Sequence, residues 1–303
     1  MSDYTVVYFK NLKRGLSVPS TLADFSIGGL HFEIKFYGAI IAVGFLLAVL
    51  ATSKLCKKKN INPWQFYDVL IWGTLFGIIG ARIFYVVFSW DYYSMHPEDI
   101  WKIHDGGLAI YGGVIAGLLT AIVAGKRKKS FDFLDALDLG GVGFLIGQGI
   151  GRWGNFTNQE AFGTNTDLPW GMTSAKVREY IITHQDFFHE HDLVVSPDKY
   201  VHPTFLYESI WCIIGFFILY WVFSKRRKFK GEIILMYLVW YGLERSVVEG
   251  LRTDSLYVGS TTIRISQILA IITVVVALIF LVKGLVKHKN DPPLPPEPVR
   301  EEE

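Results

Sequence analysis

Apolar residues in this chain come in long blocks, and charged residues are gathered into short runs between them. A helix needs about 20 largely apolar residues to cross a bilayer. Seven blocks approach that length: Phe36 to Ser53, Phe66 to Ser89, Gly107 to Ala124, Phe133 to Ile150, Phe205 to Phe223, Gly231 to Val248 and Ile263 to Val282. The fourth is the least hydrophobic. The pattern predicts an all-α integral membrane protein with seven transmembrane helices over residues 36–283. An N-terminal segment, 1–35, precedes them, and a tail, 284–303, follows.

The charge between the blocks orients them. Lys54, Lys57, Lys58 and Lys59 follow the first span, and Lys126, Arg127, Lys128 and Lys129 the third. Lys225, Arg226, Arg227, Lys228 and Lys230 follow the fifth, and Lys283, Lys287 and Lys289 the seventh. The connection from Trp90 to Gly106 instead holds Asp91, Glu98, Asp99 and Asp105 against Lys102 alone. Basic loops stay in the cytoplasm, so the N-terminus is expected outside and the C-terminus inside. Solvated charge at helix ends would not alternate by side in this way.

Composition agrees. Of 303 residues, 51% are hydrophobic and 19% charged, against about 25% charged in soluble proteins. That excludes a disordered chain, a fibre or an ordinary cytosolic enzyme. A net charge of +2 offers no general attraction for nucleic acid. Cys56 and Cys212 form no CxxC pair, so neither a zinc site nor a redox motif is indicated, and no metal or cofactor is expected. The N-terminal segment lacks the short apolar core of a signal peptide. The tail, with its Pro-Pro-Leu-Pro-Pro run and acidic end, reads as disordered.

Topology then sorts the unusual polar residues. His104 to Gly113 opens the third span, Gly151 to Gly163 closes the fourth, His202 to Glu208 opens the fifth and Glu244 to Arg252 ends the sixth. All four segments meet the outer leaflet, where an outer head loop of about 155–204 also lies. A charge within a span costs roughly 2.5–3.5 kcal/mol on insertion scales. Arg245 is such a charge, and Glu249, four residues on, shares its helix face. The pair could simply neutralise itself while Arg245 snorkels outward. Arg152 has no carboxylate in sequence until Glu160, and an arginine with spare donors near headgroups suits phosphate. Gly143, Gly147 and Gly151 recur every fourth residue and read as helix packing. His184, His189 and His191 could hold a metal but read as solvated loop histidines, and His104 beside Asp105 could be an acid–base pair but lies at the aqueous margin, before the span proper.

Gly151-Arg-Trp-Gly-Asn-Phe-Thr-Asn-Gln-Glu-Ala-Phe-Gly163 resembles the signature of bacterial prolipoprotein diacylglyceryl transferases, Gly-Arg-x-Gly-Asn-Phe-x-Asn-x-Glu-x-x-Gly, at all eight fixed positions. The resemblance extends to Phe36-Tyr-Gly38, Asp105-Gly-Gly107, His202-Pro203 with Tyr207-Glu208, and Tyr241 through Arg245 to Glu249 and Arg252. It implies a multi-pass enzyme of the bacterial cytoplasmic (inner) membrane with its site facing the outer leaflet. The family transfers the diacylglyceryl group of phosphatidylglycerol to the lipobox cysteine of a prolipoprotein, forming a thioether and releasing glycerol phosphate. By resemblance, Arg152 binds the phosphatidylglycerol phosphate, and Arg245 is a second essential arginine. Tyr37, Asn155, Glu160, Gly163 and Glu249 match other functional positions, with Tyr241, His202 and Arg252 in support. Many members carry a histidine, proposed as a general base, where this chain has Tyr111. His104 does not align with it, so Tyr111 is expected to position rather than to deprotonate.

Three other readings compete. A seven-span receptor with an outer anionic-ligand site fits the topology but gives no reason for the Gly-Arg-x-Gly-Asn motif. A transporter would show internal repeats and broken helices near the midplane. A purely structural scaffold leaves Arg245 explained only by snorkelling.

Overall fold

The computed structural model describes residues 4–12, 14–28, 30–103, 106–127, 132–259 and 261–297. His104, Asp105, Lys128, Lys129 and the tail from Pro298 lie outside the described residues. Each of the seven apolar blocks forms a helix. In chain order the elements are β1 (Tyr4–Phe9), β2 (Leu16–Pro19), β3 (Thr21–Ile27), β4 (Leu30–Lys35), α1 (Phe36–Lys58), α2 (Pro63–Phe88), α3 (Trp90–Tyr93) and α4 (Ile110–Arg127). They continue with α5 (Phe133–Asn158), β5 (Met172–Ser174), α6 (Ala175–Thr183), α7 (Gln185–Glu190), α8 (Thr204–Lys225), α9 (Glu232–Val248) and α10 (Ile265–Lys287). Five of these helices, α1, α2, α5, α8 and α10, are long and apolar enough to cross a membrane. α5 has the lowest hydropathy of the five, in keeping with its many glycines.

Local signals account for the helix ends. Pro63 occupies the first turn of α2, and the Asn62 side chain accepts from the Trp64 N–H at 3.0 Å. Lysines close α1, α8 and α10, where positive charge meets the negative end of the helix dipole.

The chain divides into two compact units. The first comprises residues 1–52 and 141–293, and the second 53–140 and 294–303. In the second, α4 packs along α2. Arg82 on α2 is buried and organises the chain that leads into α4. Its guanidinium donates to the carbonyls of Asp99 (2.6 Å), Ile100 (2.8 Å), Gly106 (2.9 Å), Gly107 (3.0 Å) and Lys102 (3.3 Å), and lies over the Tyr93 ring.

In the first unit, α9 packs between α8 and α10. Trp211 and Trp240 lock α8 to α9: each indole N–H donates to the other's carbonyl, at 2.9 and 3.0 Å, and the rings stack at 4.5 Å. Gln148 on α5 donates to the Tyr237 hydroxyl on α9 at 3.1 Å. Two of the three glycines in the α5 row pack, Gly143 against Ala48 and Thr52 of α1 and Gly147 near Gly44, whereas a Cβ at Gly151 would meet nothing within 4 Å.

Two features depart from the sequence reading. The all-α expectation leaves out two small sheets: β3 and β4 form an antiparallel hairpin just before α1, and β1 sits between β2 and β5 in the other. The head loop is a folded layer with its own core, in which Val7, Phe156, Phe162, Met172, Ile181, Phe188 and Val201 are all buried. His189 is exposed as expected, but the other two histidines of this loop are less solvated. His191 is buried against Tyr257, and His184 stacks on Tyr180 at 3.9 Å.

Candidate active site

α5 does not stop at Ile150 but runs on through Asn158, so half of the Gly-Arg-x-Gly-Asn segment is its last two turns. Gln159 and Ala161 then take left-handed φ values of 59° and 56°, which turn the chain sharply. The turn folds Glu160 back onto the helix end, where it accepts from the Asn155 amide at 2.9 Å and the Asn158 amide at 3.4 Å. Tyr37, on the first turn of α1, lies flat against Gly154; a Cβ there would meet its ring at 2.8 Å. The Tyr37 phenol interacts electrostatically with Glu160 and Arg152.

Gly163 is where three segments meet. Its N–H donates to the His202 carbonyl at 2.9 Å, and its main chain bridges to Arg252. A Cβ at Gly163 would come within 2.8 Å of the His202 Cβ and 3.1 Å of the Leu251 carbonyl, so only glycine permits this approach. His202 in turn contacts the Tyr207 hydroxyl at 3.1 Å, and that hydroxyl accepts from the Trp170 indole at 2.8 Å. Burial pushes the His202 imidazole below its ordinary pKa.

At the centre stands Glu208, on the second turn of α8, with a side chain only 1% exposed. Three arginines converge on it. Arg152 Nη2 reaches its Oε2 at 2.5 Å, Arg245 Nη1 reaches the same oxygen at 3.9 Å, and Arg252 Nη1 reaches Oε1 at 3.9 Å. Neither Glu208 oxygen has a well-aligned hydrogen bond, so these are contacts of charge with charge. Arg245 also meets Glu249 at 2.5 Å. Arg252 grips Asp254 through two parallel bonds of 2.9 and 2.8 Å. Burial works against the charge on Arg252, but Asp254, Glu208 and Glu249 outweigh it and hold the guanidinium above arginine's ordinary pKa. The Glu249 carbonyl accepts from the Arg264 guanidinium. Tyr241 interacts electrostatically with Arg152 and Arg245.

Of the residues anticipated, Tyr37, Arg152, Asn155, Glu160, Gly163, His202, Tyr241, Arg245, Glu249 and Arg252 thus gather in the first unit. Tyr111 belongs to the second unit, on the first turn of α4, where it is 53% exposed and its ring lies 6.5 Å from that of Phe84.

Arg152 has a carboxylate partner that its own stretch of sequence does not show, Glu208 on another helix. Arg245 does not simply snorkel: its side chain is 19% exposed and turns toward Glu249 and Glu208. Sequence reasoning missed Glu208, Glu244 and Asp254 as members of the cluster. Glu244 is buried on α9, with neither oxygen hydrogen-bonded among the described residues, and interacts electrostatically with Glu208 and all three arginines. A carboxylate set into an apolar helix carries the same insertion cost that singled out Arg245. That signal was available for Glu208 and Glu244.

A family model described as prolipoprotein diacylglyceryl transferase matches residues 24–283. The chain belongs to this family. A relative from Finegoldia magna is 43% identical over 259 residues, covering 86% of this chain and 94% of its own. One from Limosilactobacillus reuteri is 42% identical over 276 residues, covering 91% and 95%. One from Thermotoga maritima is 41% identical over 251 residues, covering 82% and 80%. All three are named phosphatidylglycerol–prolipoprotein diacylglyceryl transferase. The family match takes in every anticipated site residue, from Tyr37 to Arg252. It also spans both units, so the arginine cluster and Tyr111 fall within one family domain.

Proposed function

We propose that this chain transfers the diacylglyceryl group of phosphatidylglycerol to the lipobox cysteine of a prolipoprotein. The observation that carries this reading is the convergence of Arg152, Arg245 and Arg252 within 4 Å of the one buried carboxylate of Glu208. Family membership and the names of the relatives supply the substrates. All seven apolar helices cross the bacterial inner membrane, with the N-terminus outside and the C-terminus in the cytoplasm. The alternation of basic loops supports this orientation, and it puts the cluster at the outer leaflet, where a secreted cysteine and a lipid headgroup can meet.

The reaction is displacement at a glycerol carbon. Cysteine sulfur forms the new C–S bond, the C–O bond to phosphate breaks, and glycerol phosphate leaves. The departing phosphate gains negative charge in a site with little water, and fixed guanidiniums are best able to stabilise it. Arg152 and Arg245 take that role: they bind the phosphate of phosphatidylglycerol and hold it as it departs. Glu208 and Glu249 fix the two guanidiniums from behind. The attacking thiol, with a free pKa near 8.5, has to become a thiolate. Neighbouring guanidiniums lower that pKa, and Tyr111 positions substrate rather than acting as the base. Tyr37, Asn155, Glu160 and Gly163 shape the lipid site, and Tyr241, His202 and Arg252 support it.

The test is direct. Purified protein incubated with phosphatidylglycerol and a lipobox peptide should yield peptide heavier by one diacylglyceryl group, bound as a thioether. Unmodified peptide after many turnover times, with protein still folded, would overturn the proposal.

A further inference from the structure

The β3–β4 hairpin has two faces of opposite chemistry. Register pairs Ala23 with Ile34 and Phe25 with Phe32 on one face, and Asp24 with Glu33 and Ser26 with His31 on the other. The polar side chains satisfy one another: Asp24 contacts His31 at 3.4 Å, Thr21 donates to Glu33 at 2.7 Å, and Lys35 pairs with Glu33. The apolar face has no such cover. Phe25, Phe32 and Ile34 are each more than 40% exposed, with the two rings stacked at 5.7 Å. The hairpin is a sheet of two strands only, an arrangement that is marginal in water.

What meets that face follows from the chain's continuity. β4 ends at Lys35 and α1, a helix apolar enough to cross a membrane, begins at Phe36 with no linker. The Phe36 N–H donates to the Ser20 carbonyl at 2.9 Å, which closes the base of the hairpin onto the helix start. A six-residue strand reaches about 20 Å, so the hairpin stays within that distance of the start of α1. Its edges carry unpaired main-chain groups that hydrocarbon would not tolerate, whereas its exposed apolar face is poorly placed in water; a seat along the interface, polar face and edges toward water, meets both demands.

We propose that the apolar face of this hairpin is seated among the acyl chains of the leaflet from which phosphatidylglycerol is drawn, as an interfacial anchor beside the active site. The inference rests on α1 being a membrane span. It gives the hairpin a place in the reaction, because Tyr37, two residues beyond Lys35, packs against Gly154 in the arginine site.

Nitroxide accessibility tests this in full-length protein held in nanodiscs of phosphatidylcholine and phosphatidylglycerol. The two cysteines, Cys56 and Cys212, are replaced by alanine, and single labels are placed through Phe25→Cys, Phe32→Cys, Ser26→Cys and, on α1, Leu46→Cys. Collision with oxygen reports lipid, and collision with a nickel chelate reports water. Labels at 25, 32 and 46 should favour oxygen several-fold more than the label at 26. Chelate collisions at 25 and 32 as frequent as at 26, with 46 still in lipid, would overturn the hairpin's seat and leave the span intact. Chelate access at 46 would remove the span and the inference with it. In wild-type protein, phosphatidylcholine with a diazirine on its acyl chain should photolabel the peptide covering 21–35; absence of label there beside labelled α1 would equally overturn the proposal.

Discussion

Arg82 on α2 and Arg152 on α5 are both guanidiniums set into apolar helices, and their surroundings could hardly differ more. Arg82 spends its five donor contacts on five main-chain carbonyls and rests on the Tyr93 ring. Arg152 faces a buried carboxylate that two further arginines share. The first is saturated by neutral acceptors and holds a turn of chain in place. The second belongs to a cluster of formal charges around Glu208, whose oxygens have no well-aligned hydrogen bond among the described residues, and on the proposed function an anionic group enters it by exchanging one negative partner for another. An arginine inside a membrane helix is thus not by itself a site; what its donors hold decides.

That contrast can be broken by stability measurements. Arg82→Ala takes a donor from five carbonyls, of which Asp99 keeps the Lys102 N–H, and each of the less exposed ones left unsatisfied costs up to about 1–3 kcal/mol. The turn spanning 99–107 should open, with a loss of several kcal/mol overall, a lower Tm and new protease cleavage there. Arg152→Ala takes the closest partner from buried Glu208 and leaves Arg245 and Arg252 at 3.9 Å, so it should lower Tm without opening the stretch held by Arg82. New protease cleavage in that stretch in both variants would erase the distinction.

A smaller effect concerns His202. Its pKa is pushed below the ordinary 6.5 by burial, so the unfolded chain binds the proton more tightly than the native one. The stability that neutral His202 contributes is complete above about 6.5 and is lost as pH falls through the lower native value. Tm should therefore drop between pH 7 and pH 5, and His202→Asn should flatten that part of the profile. An unchanged slope would remove His202 as the acid-sensitive joint between the head layer and α8. The smallest effect is expected at Tyr111, where Tyr111→Phe should keep turnover within about two-fold of wild type, as a positioning ring requires; abolished activity would assign the phenol as an obligatory base.

Much of this was legible in the sequence, for definite reasons. A helix in a membrane announces itself by composition alone, so all seven apolar blocks became helices with ends shifted by a few residues. α5 was the exception, because its last two turns are polar and glycine-rich and read as a loop. Arg245 and Glu249 were legible as a pair because helix geometry puts residues four apart on one face. The Arg152–Glu208 contact was not, since it joins two helices and nothing local in either sequence encodes the partner. The small sheets failed for the same reason in one case and a different one in the other. β1 finds β5 across more than half the chain, whereas the alternation of Asp24, Phe25 and Ser26 was present but short beside the long apolar block that follows.

The central claim is that the arginines on Glu208 hold the departing phosphate. Arg152→Ala and Arg245→Ala, purified in folded form and given phosphatidylglycerol and a lipobox peptide, test it most directly. Each should lose thioether formation by about 10²–10³-fold, the scale seen when a preorganised charge stabiliser is removed, in protein that remains folded at the assay temperature. Turnover near that of wild type in either variant would contradict the account.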